Sequence, residues 1–122
     1  MIAADTSTWI AFFEGQPGND VMALKTALEA RQVVMPPPVL TELLSDPELA
    51  PSVAQTLLDL PLVGLKDGFW HRAGKLRARA LARNRKARLG DALIAQCCID
   101  SDIALITRDG DFKAFSQTLN LL

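Results

Sequence analysis

Zinc chemistry is excluded by scarcity. The chain has one histidine, His71, and two cysteines, Cys97 and Cys98, with no CxxC pair or His/Cys spacing of a zinc site. The cysteines are adjacent within the apolar stretch LIAQCCI. Neighbours on a helix point about 100° apart, so they are expected as two buried free thiols rather than a disulfide. Free thiols suit a reducing compartment. No apolar run approaches the roughly 20 residues that span a membrane. The opening MIAADTSTW lacks the basic and long apolar regions of a secretory signal, so a cytoplasmic location without a membrane is expected. Internal repeats, low-complexity tracts and linkers are also missing. Residues 1–122 are therefore expected to form a single domain. Apolar residues make up 49% of the chain, enough for a core.

A net charge of −1 removes any global case for binding a polyanion, but the distribution restores a local one. Eight of the 13 basic residues lie between Arg72 and Arg88, where there is no acid.

Strand and helix patterns alternate along the chain. Residues 1–5 read as a strand and 6–14 as a helix, capped by Asp5 or Thr6 and ended near Gly15. A second helix starts around Gly18-Asn19-Asp20, with Val21, Leu24 and Leu28 at helical spacing. Residues 32–35 form a short strand closed by Pro36-Pro37-Pro38, and Pro38 is suited to begin the next helix. Leu49 to Leu60 is amphipathic and Pro61 stops it; Leu62 to Leu65 suits a short strand. Gly68 opens a long basic helix. Gly90 precedes DALIAQCCI, apolar nearly all round and so a buried helix. Ile103 to Thr107 is a strand, DFKAFSQ a short helix, and LNLL an edge strand. Such alternation predicts an α/β sandwich of three layers, with a mainly parallel central sheet flanked by helices.

In open parallel sheets the functional crevice lies beyond the carboxyl ends of the strands. Asp5 and Asp109 follow two such strands, while Glu42 and Asp91 sit near helix starts. Each has an ordinary reading: Asp5 as a helix cap, Glu42 as a solvated charge, Asp91 as a dipole-stabilised residue, and Asp109-Gly110-Asp111 as an Asx turn. Together they have another. Two carboxylates about 4 Å apart repel by roughly 4 kcal/mol at an effective dielectric of about 20. A cluster therefore needs protons or a cation. Acids without His or Cys partners suit Mg²⁺ or Mn²⁺, which can activate water and neutralise a phosphoryl group. Ser7 and Thr107, beside two of the acids, can orient ligands by hydrogen bonds.

MIAADTSTWI, VLTELL, GDALIAQ and ITRDGDF, in that order and spacing, resemble the PIN-domain ribonucleases, especially the VapC-type toxins of toxin–antitoxin pairs. The resemblance spans essentially the whole chain. It implies a PIN-like fold and a metal-dependent endoribonuclease with Asp5, Glu42, Asp91 and Asp109 as its catalytic acids. Asp5, Asp91 and Asp109 would hold Mg²⁺ or Mn²⁺, Glu42 would ligate directly or through water, and Ser7 and Thr107 would support them. The chain departs from the family in its three consecutive prolines before Val39. Its last motif also offers both Asp109 and Asp111, of which Asp109, nearer the strand, is preferred. The resemblance further implies a small antitoxin partner, and a high surface-to-volume ratio adds the expectation of a homodimer.

Arg72, Lys75, Arg79, Arg83 and Lys86 recur at three- or four-residue intervals, forming one helical stripe suited to RNA phosphates, to an acidic protein or simply to solvent. Trp70 and His71 read as packing and helix-start residues. Trp9 could stack on a base, but its apolar neighbours favour the core. Two rival readings are a phosphoacceptor receiver, which would need paired acids after the first strand and a late strand-end lysine, and a non-catalytic PIN-like binding module.

Overall fold

Parallel pairing begins with two three-residue strands. In the computed structural model of the chain, which describes residues 1–122, β1 (Ile2–Ala4) pairs with β2 (Ala104–Ile106), with Ile2 opposite Ala104 and Ala4 opposite Ile106. Three isolated parallel bridges extend the layer: Val33 to Ile2, Met35 to Leu62, and Leu121 to Leu105. The order across the sheet is thus 62, 33–35, β1, β2, 121, all parallel. The expected middle and edge strands are reduced to single bridges. Pro36 ends one and Pro61 precedes another, and a residue without an N–H cannot donate to a ladder.

Six helices surround this layer: α1 (Thr6–Phe13), α2 (Asn19–Glu29), α3 (Pro37–Leu44), α4 (Pro51–Leu58), α5 (Phe69–Ala82) and α6 (Leu89–Asp100). A 3₁₀ turn, Gly110–Phe115, follows β2. Helix α3 starts one residue earlier than expected, with Pro36 as its N-cap and Pro37 and Pro38 in its first turn, where no N–H is required. Pro51 does the same for α4, which shortens the helix expected over 49–60. Helix α5 ends at Ala82, with Arg83 as C-cap, and Asn84 turns the chain with φ 57°.

Of the buried apolar residues, 29 form one continuous cluster. Helix α6 is central to it, burying Ala92, Ile94, Ala95, Gln96, Cys97 and Cys98. Both cysteines are free, and burial pushes their thiols up to about 12, so they remain protonated and inert. No helix is long and apolar enough to cross a membrane.

Candidate metal centre and nucleic-acid interface

The sheet register decides which acids meet. Because Ala4 lies opposite Ile106, Asp5 and Thr107 leave the ladder side by side, and the Asp5 N–H donates to the Ile106 carbonyl at 3.0 Å. Asp5 caps α1, its Oδ1 accepting the Thr8 N–H at 3.1 Å. The Ser7 hydroxyl lies 2.9 Å from both carboxylate oxygens. Thr107 Oγ1 donates to Asp5 Oδ2 at 2.8 Å and accepts the Asp109 N–H at 2.9 Å. One hydroxyl thus joins the ends of both strands. Asp109 then caps the 3₁₀ turn, its Oδ1 accepting the Asp111 N–H at 2.9 Å.

Helix α6 brings Asp91 to this edge in its first turn. The carboxylates of Asp91, Asp109 and Asp111 lie within 4.8 Å of one another, and no histidine or cysteine joins them. Glu42, on α3, accepts from Thr6 Oγ1 at 2.8 Å. Its other oxygen lies near Gly90, 3.7 Å from where a Cβ would stand. Asp91 is the electrostatic focus. Its Oδ2 is buried with no hydrogen-bond partner. Burial, then the charges of Asp109, Glu42 and Asp5, push its carboxyl up to about 6 against the opposing pull of Arg88. Burial also raises Asp5, which the hydrogen bonds from Thr107, Thr8 and Ser7 hold back.

This arrangement adds Asp111 to the candidate ligands. Asp109 and Asp111 do not compete for one role: the Asx turn presents both to Asp91. Asp5, expected among the direct ligands, lies outside that trio with both oxygens engaged by the chain. The trio fits a hard divalent cation. Its donors are all carboxylate oxygens, and one of them is buried and unpaired.

The basic stripe is divided. Arg72, expected to be free, forms a two-pronged ion pair with Asp100: Nε to Oδ1 at 3.0 Å and Nη2 to Oδ2 at 2.6 Å. It also donates to the Asp67 carbonyl. Arg72 thus holds Asp100 well below the usual carboxylate range. Gly68, at φ 80°, leaves room for this guanidinium, since a Cβ there would stand 2.7 Å from Nη1. Arg83 donates to the Ala114 carbonyl at 2.9 Å. Lys86 lies beyond the helix and reaches Asp111 at 3.2 Å, so a lysine expected on the stripe stands at the acidic edge. Lys75 and Arg79 stay exposed without an ion pair.

The family model described as PIN domain matches residues 2–117. The chain belongs to the PIN-domain family. No curated protein matches it in sequence. Among solved structures, this PIN domain is similar to the DNA-bound VapBC of Salmonella typhimurium, with TM-score 0.76 and 17% identity over 100% of this chain and 98% of that one. It is also similar to FitAcB of Neisseria gonorrhoeae, with TM-score 0.73 and 19% identity over 100% and 96% of the two chains. VapC20 of Mycobacterium tuberculosis, described as a toxin that cleaves the sarcin-ricin loop, has TM-score 0.67 and 19% identity over 93% and 94%.

Sequence reasoning passed over one buttress of the PIN domain's acidic edge. Arg108, between β2 and Asp109, turns away from the acids to Asp20 of α2, with Nε to Oδ2 at 2.8 Å and Nη2 to Oδ1 at 3.1 Å. Asp20 also accepts from buried Thr8 at 2.9 Å. The pair fixes the β2 exit to α1 and α2. Its only signal in the sequence is an Arg and an Asp 88 positions apart, which no local pattern connects.

Proposed function

We propose that this PIN domain, acting as one unit over residues 1–122, is a divalent-metal-dependent endoribonuclease and the toxin of a toxin–antitoxin pair. The observation that carries the reading is Asp91: a buried, unpaired carboxylate oxygen facing two further acids. That arrangement is unfavourable alone and relieved by a cation. Asp91, Asp109 and Asp111 would hold Mg²⁺ or Mn²⁺, while Asp5 and Glu42 add negative charge beside them. When bound, such an ion supplies an activated water and neutralises charge on the phosphate in an in-line displacement. Ser7 and Thr107 orient Asp5, and Thr107 also fixes the backbone before Asp109. Lys75 and Arg79 would hold RNA phosphates. Arg72 and Arg83 brace the helix that carries them.

The toxin reading draws on family membership and on the VapBC and FitAB complexes among the similar structures. A small antitoxin would place a cation against the acidic edge, where Lys86 already pairs with Asp111. The PIN domain is proposed to be a homodimer in a cytoplasmic setting.

The direct test incubates purified protein with single-stranded RNA, with and without Mg²⁺ or Mn²⁺. Cleavage that appears with the ion and stops on chelation is expected. Intact RNA under all conditions would leave the domain as a binding module. Lys75→Gln with Arg79→Gln should weaken RNA binding and flatten its dependence on log salt, by about 0.7 for each phosphate no longer neutralised. Arg72→Gln should instead lower the melting temperature and leave that slope in place. An unchanged slope in the double variant would assign Lys75 and Arg79 to solvent or a protein partner.

A further inference from the structure

Resting on the reading of this chain as an RNA-cleaving domain, we propose that Trp70 and the groove beside Glu42 form a stacking subsite for one nucleobase of the single-stranded substrate. The base would belong to a nucleotide next to the phosphate at the acidic edge.

The two tryptophans have opposite environments. Trp9 is fully buried, its ring stacked on Phe13 at 5.6 Å. Trp70, expected to pack, is 68% exposed and meets its neighbour Phe69 only edge-on, at 5.0 Å and 82°. Phe69 anchors α5 in the core and leaves the indole beside it on the surface. Trp70 lines a groove of about 330 Å³ together with Pro37, Pro38, Leu65, Glu42 and Gly90. Proline rings and an indole make stiff, apolar surfaces that need little ordering on contact.

Position and charge identify the occupant. Glu42 lines the groove and also raises the Asp91 carboxyl, so groove and acidic edge share a residue. Gly90, which lines the groove, immediately precedes Asp91 in the chain, so a base held there lies one residue from the acidic edge. Lys75 and Arg79 project from other faces of α5 and have no part in the subsite. Polar groups in the groove are few. The Thr41 hydroxyl donates to the Pro37 carbonyl and Glu42 Oε1 accepts from Thr6, leaving Glu42 Oε2 able to accept from an exocyclic amine. Recognition there would rest on stacking, which tolerates many sequences. A docked amphipathic helix would need several anchors at i, i+4 and i+7 spacing; this groove offers one aromatic face.

The test titrates a short single-stranded oligoribonucleotide into the wild-type protein without divalent cation, so that it stays intact, and follows tryptophan emission. A strand of equal length lacking bases serves as control. With Trp9 buried, a stacked base is expected to quench Trp70, and the baseless strand to leave it unchanged. Trp70→Ala should weaken binding of labelled RNA by about 5- to 100-fold, with an unchanged melting temperature, and Trp70→Phe should restore most of it. Unmoved emission and wild-type binding by Trp70→Ala would overturn the subsite, even if metal-dependent cleavage is robust. Conversely, quenching by RNA in a protein that cleaves nothing would support the subsite while removing the nuclease reading. If the co-encoded small protein quenches Trp70 and RNA does not, the groove belongs to that protein and the proposal fails.

Discussion

Asp91→Asn is expected to abolish metal-dependent RNA cleavage while making the metal-free protein more stable. Groups that merely orient a metal ligand are worth about 10- to 100-fold, so losing a central carboxylate of the site should cost at least about 100-fold. The stability gain follows from the same crowding. The Asp91 carboxyl is raised from 3.8 to about 6 in the folded chain. Below pH 3.8 it is protonated whether folded or unfolded, and no penalty exists. Between 3.8 and 6 the folded state keeps a proton that the unfolded state releases, so stability falls as pH rises. Above about 6 the penalty is constant. Unscreened, the difference would be about 3 kcal/mol; for a half-buried group solvent screening reduces it to about 1 kcal/mol.

Asparagine carries no charge and escapes this penalty. In a chelating buffer at pH 7, Asp91→Asn should melt about 3–5 °C above wild type, and the gap should close toward pH 4. Metal should reverse the order, because it stabilises only the protein that binds it. Below about pH 6 the ion must displace a proton from Asp91, so its affinity should drop up to tenfold per pH unit. A folded Asp91→Asn protein that cleaves RNA at the wild-type rate would remove Asp91 from the site.

The acids were legible because the topology is local and ordered. An acid that caps the helical turn just after a strand has its place fixed by that strand, and this holds for Asp5 and Asp109. Asp91 was legible from the apolarity of its helix, which draws it inward. What escaped depends on pairings that no periodicity encodes. Arg72 meets Asp100 across 28 positions, so a regular basic stripe gave up its first member to an ion pair between α5 and α6. Lys86 left the stripe because α5 ends at Ala82 and the chain turns at Asn84, which carries the lysine to Asp111. Asp5 is the converse case. Its capping role, read in isolation, is present, and its carboxylate also accepts from Ser7 and Thr107. The parallel sheet was legible in kind but not in extent, because the prolines that mark strand ends also leave little strand to pair.

Thr107→Val should reveal how far the acidic edge depends on one hydroxyl. Valine has nearly the same shape, so the packing beside Ile106 stays intact. Two bonds disappear together: the 2.8 Å donation to Asp5 Oδ2 and the 2.9 Å acceptance from the Asp109 N–H. A buried polar group left without its partner costs about 1–3 kcal/mol, and Asp5 is 3% exposed. The Ser7 hydroxyl, 2.9 Å from the same oxygen, recovers part of that cost; the rest is relieved by moving Asp109 or by keeping Asp5 protonated. Both moves disturb the metal site. Thr107 is the strongest hydrogen bond restraining the Asp5 carboxyl against burial; without it that carboxyl rises further, and cleavage should shift to higher pH. Metal affinity and cleavage should fall by about 10- to 100-fold, the range for groups that orient a ligand. Thr107→Ser keeps the hydroxyl and should stay within a few-fold of wild type, which separates loss of the hydrogen bonds from loss of the methyl group. Metal titration by calorimetry, alongside pH–rate profiles for the three proteins, decides the matter. If valine binds metal as tightly as threonine and leaves the profile in place, the strand ends are held by the sheet alone and Thr107 has no part in the site.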